Sequence, residues 1–350
     1  VFGGDILVKE RRTSKVVDAD ILLKGDGYIV IEANKNITTD GGDAVLWSNA
    51  ANATSGNANN EIDLRGNNTI STSGGAIVLA GGADTDNDDM PDGYAYRGAG
   101  SYGAVYLRSG TQLNSANGDI IIRGESTLEG VRALDQLLID SGTGTITIDG
   151  KSSGSNGINF GNDGNNNAQN IAITSASTSD SAVSITGTTS SNQWAINFAN
   201  STGGGNILVQ STASTGGGVT ISGTSNGNWV FHNRLNSGRT QILSQSGDIT
   251  ITTNSTTSSG GGFAVRSQNG FYVGERFDGT TVNGVTPVTG FTGNITLNVK
   301  DDIDSEDALI LRSATTDGGD ITINANRPSQ GAGVRQIATS GEVIIQPTDA

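Results

Sequence analysis

The sequence predicts an all-β protein of the right-handed parallel β-helix class, and three observations support this prediction. Short segments with apolar residues at alternate positions, the period of a half-buried strand, recur throughout the 350 residues. Gly, Ser, Thr and Asn fill the intervals and supply turns. Similar segments also return at a longer period. For example, Ile158, Ile196 and Val230 follow one another at intervals of 38 and 34 residues. Three strands per repeat, joined by loops of variable length, describe one coil of a parallel β-helix.

The most frequent segment has the form Gly-Asp/Asn-Ile-x-Ile. Alternate side chains of a strand point to opposite faces, so Ile249 and Ile251 are expected inside and Thr250 outside. The β-branched residues of this segment also favour the pleated conformation. Its copies and variants lie at residues 4–8, 118–122, 144–148, 205–209, 247–251, 293–297, 319–323 and 341–345.

Two further segment types complete the repeat. One type begins with Gly-Gly or a single Gly before Ala, Val or Phe, and the other type carries most of the aromatic residues. The first occurs at residues 41–48, 74–80, 103–109, 217–223, 261–267 and, without the Gly, 307–313. The second occurs at residues 157–160, 194–198, 228–233 and 270–277. Stacked coils would share one narrow core and form a rod of about 9 to 14 coils, roughly 40 to 65 Å long.

We expect residues 1–350 to form a single continuous solenoid with an acidic loop inserted at about 83–100. Helix is almost excluded, and only residues 125–140 are compatible with it. For that segment a single helical turn is weighed against a strand at residues 137–139. The Asn-rich tract 161–170 is expected to form a turn between strands.

Composition excludes several classes of function. Lys and Arg total 20 against 35 Asp and Glu, which gives a net charge of −15 and argues against nucleic acid as a partner. The sequence contains no run of 18 apolar residues, so a membrane-spanning helix is not expected. The absence of Cys excludes disulfides and thiolate metal sites, and the single His232 excludes a multi-histidine centre. Because the sequence begins at Val1, we expect a processed or excised segment, and its lack of cysteine suits secretion.

The sharpest local motif is the acidic segment DTDNDDMPDG at residues 84–93. Its carboxylates and one backbone carbonyl match the oxygen-ligand spacing of calcium loops, and they belong to Asp84, Asp86, Asp88, Met90 and Asp92. Five aspartates in nine residues repel one another, and a divalent cation would relieve that repulsion. Asp89 replaces the usual Gly, and Ala95 stands where a bidentate Glu is common. We therefore predict a Ca²⁺ site here, with a solvated acidic loop as the alternative.

Other polar and aromatic residues are expected to have structural roles. The acidic run 301–307 is interpreted as a charged turn, and His232 as a structural or surface residue rather than a general base. Aspartates directly before strands are expected to cap local backbone amides. They are Asp5, Asp119, Asp248 and Asp320. The aromatics of the third segment type are expected to pack inside the coil, with a row of exposed sugar-stacking rings as the alternative. They are Trp194, Phe198, Trp229, Phe231, Phe271, Tyr272 and Phe277.

The segment 31–82 resembles repeats of bacterial filamentous haemagglutinin-like large exoproteins. It contains IEANKNITTDGGDAVLWSNAAN and EIDLRGNNTISTSGGAIVLAGG, and the later segments GDITITT and GGDITINA are similar. The resemblance implies a secreted, right-handed β-helical adhesin held at the outer cell surface. It also implies that this chain is an internal portion or a processed unit of such a protein.

The resulting functional hypothesis is a non-enzymatic adhesin or surface-fibre segment, located outside a bacterial cell, whose partners are extracellular glycans or a cell surface. Two alternatives remain open at this point. One is a structural subunit that assembles end to end through unpaired strand edges. The other is a carbohydrate-active β-helix enzyme, a lyase or hydrolase, which needs a groove with carboxylates about 5 to 10 Å apart.

Overall fold

The computed structural model of the protein describes most of the chain. The described residues are 4–52, 59–98, 100, 102–161, 169–201, 205–227, 230–235, 238–255, 263–265, 270–276, 279–305, 309–314, 316, 318–327 and 335–347. All regular elements within these residues are β-strands, which we number β1 to β33 in chain order. In this part of the chain, no helix is long and apolar enough to cross a membrane.

The strands form three long sheets. Sheet 1 contains β1 (Ile6–Val8), β4 (Ile29–Ile31), β8 (Ile62–Leu64), β12 (Val105–Leu107), β15 (Val131–Ala133), β18 (Ile158–Phe160), β21 (Ile196–Ser201), β24 (Phe231–Leu235), β27 (Phe263–Val265) and the second half of β29 (Ile295–Ser305). Sheet 2 contains β2 (Arg12–Val17), β5 (Asn36–Asp40), β9 (Thr69–Ser71), β13 (Gln112–Asn114), β16 (Leu137–Asp140), β19 (Gln169–Ser175), β22 (Gly205–Ser211), β25 (Arg239–Ser244), β28 (Phe271–Val273), β30 (Leu309–Arg312) and β32 (Arg335–Ala338).

Sheet 3 contains β3 (Ile21–Lys24), β6 (Ala44–Ser48), β10 (Ile77–Gly81), β14 (Ile120–Ser126), β17 (Ile146–Ser152), β20 (Val183–Thr189), β23 (Val219–Ser225), β26 (Ile249–Ser255), the first half of β29, β31 (Ile321–Arg327) and β33 (Val343–Gln346). Two short strands, β7 (Asn59–Asn60) and β11 (Ala95–Arg97), extend its edge near the acidic segment. All strand pairs are parallel except β7 with β11.

The chain visits sheets 1, 2 and 3 in turn, and each circuit forms one coil of a parallel β-helix. Sheet 2 has 11 strands, one from each coil, so the described chain forms eleven coils. Ten steps of about 4.8 Å give a stack roughly 48 Å long. The predicted parallel β-helix is therefore confirmed, and the coil number falls inside the predicted range.

The core is built by the inward residue of each strand, stacked on its equivalent in the next coil. Ile146, Val183, Val219 and Ile249 pair in register, and each is fully buried. Residues between them, such as Thr250, point outward and are partly exposed, as the alternation predicts. A single coil could not bury its apolar face, so the core exists only because coils stack.

Phenylalanines widen the core in the middle of the rod. Phe198 lies 6.0 Å from Phe160, 6.0 Å from Phe231 and 5.6 Å from Phe271, measured between ring centroids. All four rings are buried. The predicted inward packing is therefore confirmed for Phe198, Phe231 and Phe271. The prediction is wrong for Tyr272 and Trp194, because Tyr272 is buried on the outer side of its strand and the partly exposed Trp194 stacks on the outward His232. Trp229 and Phe277 lie outside the described residues.

A column of inward glycines forms the corner between sheets 3 and 1. Gly150, Gly187 and Gly223 pair in register at the centre of consecutive strands. A Cβ added at Gly187 would lie 2.3 Å from the backbone oxygen of Ala195, a distance that real Cβ atoms do not adopt. These positions therefore exclude side chains so that the following sheet 1 strand can pass close to sheet 3.

The aspartates that precede strands do cap backbone amides, but the amides belong to the next coil. Asp119 Oδ1 accepts from the backbone N–H of Thr145 at 2.7 Å, and Asp248 Oδ1 accepts from that of Asn294 at 2.8 Å. Asp320 and Asp5 accept in the same way, at 2.8 and 3.3 Å. The prediction of capping is confirmed, and these side chains also tie consecutive coils together.

Several local expectations need correction. Residues 125–140 form strands β14, β15 and β16, so no helical turn is present there and the strand alternative is correct. Residues 301–305 of the acidic run 301–307 do not form the predicted turn, because β29 continues through Ser305 and its residues 303–305 pair with β27. Residues 306 and 307 lie outside the described residues. Most of the Asn-rich tract, residues 162–168, lies outside the described residues.

A second long excursion, absent from the sequence-based prediction, covers the outer face of sheet 2. Residues 274–294 separate β28 from β29, and Val282 of this strap packs on the outward, buried Leu208 and Leu243. The Gln210 side chain fixes the strap, because its amide donates to Thr286 O at 3.2 Å and accepts from Val288 N at 3.0 Å. Apolar residues on the outside of a strand therefore mark a covered face here.

Candidate functional site

The acidic loop leaves the rod in the middle of a sheet 3 strand. β10 pairs with the first half of β14 and β11 pairs with the second half, so residues 82–94 are inserted into one otherwise continuous strand. The insertion ends earlier than the predicted residue 100, because Ala95–Arg97 already belong to β11. At the neck, Gly81 forms an antiparallel bridge with Gly93, and Gly82 adopts a φ of 81°. The two ends of the loop approach each other so closely at the neck that glycine is required, since a Cβ on Gly82 would lie 2.8 Å from Gly93 Cα.

The underside of the loop is apolar and rests on sheet 3. Met90 packs against a cluster that includes the buried, outward-facing Trp47 and Val78. Trp47 Nε1 donates to Gly82 O at 2.7 Å, and Arg123 donates to Asp92 O at 3.2 Å. These contacts attach both ends of the loop to the rod.

The upper side of the loop brings three carboxylates together. Oxygen atoms of Asp84, Asp86 and Asp88 all lie within 4.8 Å of one another. Asp84 accepts from the backbone N–H groups of Asn87 at 2.7 Å and Asp89 at 3.1 Å, which curls the chain around the cluster. Asp89 adopts a φ of 65°, the left-handed conformation that a Gly usually supplies in calcium loops.

The two other predicted ligands have different contacts. Asp92 Oδ2 accepts from the backbone N–H of Thr85 at 2.6 Å and from its hydroxyl at 2.5 Å. Hydrogen bonding by Thr85 lowers the pKa of Asp92. The side chain of Met90 lies on the apolar underside, and its N–H donates to Asp88 Oδ1 at 2.9 Å. Of the five ligands predicted from the sequence, the structure brings together three, namely Asp84, Asp86 and Asp88.

The chemistry of the cluster fits a hard cation. Carboxylate oxygens are the ligands that Ca²⁺ prefers, and three of them supply part of its usual shell of six to eight oxygens. Desolvation, followed by repulsion from Asp88 and Asp92, raises the pKa of Asp86. A bound cation would offset this repulsion.

A second cluster occupies the outer face of sheet 1. The second residues of consecutive sheet 1 strands, from β8 to β24, pair in register and form one outward column. The column consists of Asp63, Tyr106, Arg132, Asn159, Asn197 and His232. The signal was present in the sequence as the central letter of IDL, VYL, VRA, INF, INF and FHN, but it could be interpreted only once the register was known.

The aromatic step, by which we mean Tyr102 and Tyr106, lies at one end of this column. The two rings stack with centroids 5.1 Å apart, and Tyr102 is 40% exposed whereas Tyr106 is buried. The Arg108 guanidinium lies over both rings, at 5.2 and 4.5 Å from their centroids. The same guanidinium donates two hydrogen bonds of 2.8 Å to Asp63. The Arg97 guanidinium also lies over the Tyr102 ring, at 5.8 Å from its centroid. The result is a partly exposed tyrosine ring bordered by guanidinium groups and a bidentate ion pair.

The other end of the column is a hydrogen-bonded ladder. Asn159 Nδ2 donates to Glu129 at 2.6 Å, and Asn197 Nδ2 donates to Asn159 Oδ1 at 2.9 Å. His232 Nδ1 lies 3.0 Å from Asn197 Oδ1, and the His232 ring stacks on Trp194 with centroids 4.0 Å apart. His232 is buried within this ladder, as expected for a structural residue.

Comparisons with protein-family models, with curated proteins and with solved structures found no match.

Proposed function

We propose that this chain is a non-enzymatic attachment rod on the outside of a bacterial cell and that it binds extracellular glycans. The aromatic step of sheet 1 carries the proposal. An exposed tyrosine ring offers an apolar face for a sugar ring, and the polar groups beside it can bind the sugar hydroxyls. The resemblance of the repeats to filamentous haemagglutinin-like exoproteins supports the same function.

The charges around the aromatic step favour binding over catalysis. Asp63 is paired with Arg108, Glu129 with Arg132 at 3.2 Å, and Glu61 with Arg97 at 2.8 Å. These carboxylates are paired with guanidinium groups, and their oxygens can accept hydrogen bonds from the hydroxyl groups of a sugar. A general acid needs a carboxyl group that keeps its proton near neutral pH.

The test is binding to a glycan microarray, with Tyr102→Ala as the variant. Removing the exposed ring should lower binding to the recognised glycans at least tenfold. Tyr28→Ala is the matched control, because Tyr28 is a partly exposed tyrosine two coils before Tyr102, outside the aromatic step, and should tolerate the change. Equal binding by the wild type and Tyr102→Ala would refute the role of the aromatic step.

Two further measurements separate the alternatives. Release of reducing ends or unsaturated sugars from acidic or neutral polysaccharides would favour an enzymatic function over adhesion. Long fibres in negative-stain images of the purified protein, in place of single short rods, would favour a filament subunit.

We also propose that the acidic loop binds one Ca²⁺ through Asp84, Asp86 and Asp88. The single supporting observation is the convergence of their three carboxylates within 4.8 Å. The expected dissociation constant is on the order of 10⁻⁴ to 10⁻³ M, as in extracellular modules. Because desolvation and neighbouring carboxylates raise the pKa of Asp86, protonation should weaken calcium binding at a higher pH than for an ordinary aspartate.

Isothermal titration of the Asp86→Ala, Asp88→Ala double variant tests the calcium site. Wild type should take up one Ca²⁺ and the double variant none. The Asp26→Ala, Asp40→Ala double variant removes the same charge at exposed positions elsewhere and should bind like wild type. Equal uptake by wild type and the loop variant, or no uptake by either, would refute the proposal.

A further inference from the structure

A cavity of about 290 Å³ opens on the outer surface of sheet 3, and neither residue of the aromatic step lines it. Its walls come from outward residues of neighbouring coils, namely Tyr96 of β11, Glu125 of β14, Lys151 of β17 and Thr188 of β20. These four side chains pair in register across consecutive strands, so they form one continuous row. The remaining lining residues are Ser126, Thr127, Ser152, Ser153 and Ser190.

The two charges of the cavity do not neutralise each other by contact. Glu125 and Lys151 lie directly opposite on adjacent strands, where a cross-strand ion pair would ordinarily form. The Lys151 ammonium instead lies over the Tyr94 ring, 3.9 Å from its centroid. Within the part of the chain that the structure describes, the Glu125 carboxylate has neither a hydrogen bond nor an ion pair with a side chain. An unpaired, half-buried carboxylate at a cavity wall is available to accept hydrogen bonds from a ligand.

The lining defines the chemistry of that ligand. One carboxylate and one ammonium group leave the cavity with no net charge, so it favours neither an anion nor a cation. The carboxylate accepts hydrogen bonds, the ammonium donates them, and the serine and threonine hydroxyls do both. Tyr96 adds a buried aromatic side chain to this polar set. A small neutral ring with several hydroxyl groups matches all of these groups at once.

The size of the cavity agrees with this chemistry. A volume of about 290 Å³ lies just below the range of roughly 300 to 1,000 Å³ for small-molecule sites. One monosaccharide unit fits this size better than an extended oligosaccharide.

We propose that this cavity binds a single neutral monosaccharide unit, with Glu125 accepting hydrogen bonds from its hydroxyl groups and Lys151 donating to its oxygens. The proposal rests on the glycan-binding function proposed above, but it concerns a different sheet and other residues. The predicted recognition is therefore that of a terminal sugar held in a pocket, in addition to surface stacking on Tyr102.

Saturation-transfer NMR with four free sugars, D-glucose, D-galactose, D-mannose and N-acetyl-D-glucosamine, tests the site. At least one sugar should receive saturation from the wild-type protein. Glu125→Ala should weaken that binding at least tenfold, and Thr188→Tyr, which fills the cavity, should abolish it. Thr224→Tyr places the same ring one coil further along the same row, outside the cavity, and should leave binding unchanged.

The outcome is decisive in either direction. Absence of saturation transfer with all four sugars, or unchanged binding in folded Thr188→Tyr, would overturn the proposal. Tyr102→Ala should keep the monosaccharide signal, because the aromatic step lies on sheet 1. Loss of microarray binding in Tyr102→Ala with an intact pocket signal, or the reverse, would show which of the two sites fails.

Discussion

Two regions of the rod share one inner architecture but have different outer chemistry. Counted from the N-terminus, they are coils 3 to 5, which contain β8 to β17, and coils 6 to 8, which contain β18 to β26. On the outer faces of sheets 1 and 3, the earlier coils carry charged residues, among them Asp63, Arg108, Glu125, Arg132 and Lys151. The outward positions of sheet 3 in the later coils form a hydroxyl array. It consists of Ser184, Thr186, Thr188, Thr220, Ser222, Thr224, Thr250 and Thr252, and the amide of Asn254 continues the outward row.

The comparison shows that the outer face of a coil can change its chemistry without changing the fold. Inward residues pair in register across both regions, from Ile120 through Ile146 and Val183 to Val219. Outward residues contact only their neighbours on the same face and the solvent, so they are less constrained. The earlier coils hold the aromatic step, the acidic loop and most of the sheet 3 cavity, whose wall extends to Thr188 of the hydroxyl array. The rest of the array suits a regular spacer.

The largest mutational effect on the free energy of unfolding should come from the core, and it should differ between the two regions. Phe198 is buried and contacts three other phenylalanine rings, whereas Leu107 occupies the corresponding inward position of sheet 1 in the earlier coils. We expect Phe198→Ala to lower the free energy of unfolding by about 3–5 kcal/mol and Leu107→Ala by about 2–4 kcal/mol. Urea unfolding measures both, and a smaller loss for Phe198→Ala would contradict the assigned role of the aromatic core.

The next largest effect should come from the ion pair beside the aromatic step. Arg108→Ala leaves the Asp63 carboxylate, whose side chain is only 9% exposed, without its bidentate partner. We expect a loss of about 2 kcal/mol in the free energy of unfolding. Replacing Asp63 by Asn in the same chain should recover part of that loss, because it removes a carboxylate whose remaining ion-pair partner is Arg65, at 3.4 Å. Absence of any recovery would show that Arg108 stabilises through packing on the tyrosines.

A further contrast concerns Tyr94, which follows the acidic loop. Its hydroxyl donates to Asp149, and burial together with this carboxylate raises the pKa of Tyr94. Tyr94→Phe should therefore lower the free energy of unfolding by about 1–2 kcal/mol near neutral pH. The register equivalent of Asp149 in the next coil is Thr186, and Thr186→Val should change stability by less than about 0.5 kcal/mol.

The raised pKa of Tyr94 also predicts the direction in which the stability of the fold changes with pH. The folded protein holds the Tyr94 proton more tightly than the unfolded chain, so the contribution of Tyr94 is complete below about pH 10, the ordinary tyrosine pKa. Stability should then fall as the pH rises above that value. In Tyr94→Phe this fall should be shallower, and an identical alkaline profile for both proteins would contradict the raised pKa.

The smallest effect is expected in the hydroxyl array. Thr250 points outward, and its neighbours in register are Thr220 and Thr296. Thr250→Val keeps the β-branched shape and should change the free energy of unfolding by no more than about 0.5 kcal/mol. A loss above 1 kcal/mol would show that the array stabilises the rod through hydroxyl contacts.

The sequence by itself determined the class of the fold. Alternation of the kind seen in Ile249-Thr250-Ile251 specifies which side chain is buried, and the recurrence of such segments requires stacking because one coil cannot bury its own apolar face. The ligand spacing of Asp84, Asp86 and Asp88 was also readable, because local chain geometry alone brings residues two apart in a short loop close together.

The tertiary structure decided which outward residues meet. Asp63 and Arg108 are 45 residues apart, and Glu125 and Lys151 are 26 apart, so their proximity depends on how many residues each intervening loop holds. The strap over sheet 2 depends on the same long-range register, since the apolar Leu208 could have been assigned to the core on pattern alone. Strand periodicity fixes the two faces of each coil, but only the stacking of coils fixes the neighbours on those faces, and the candidate sites are made of such neighbours.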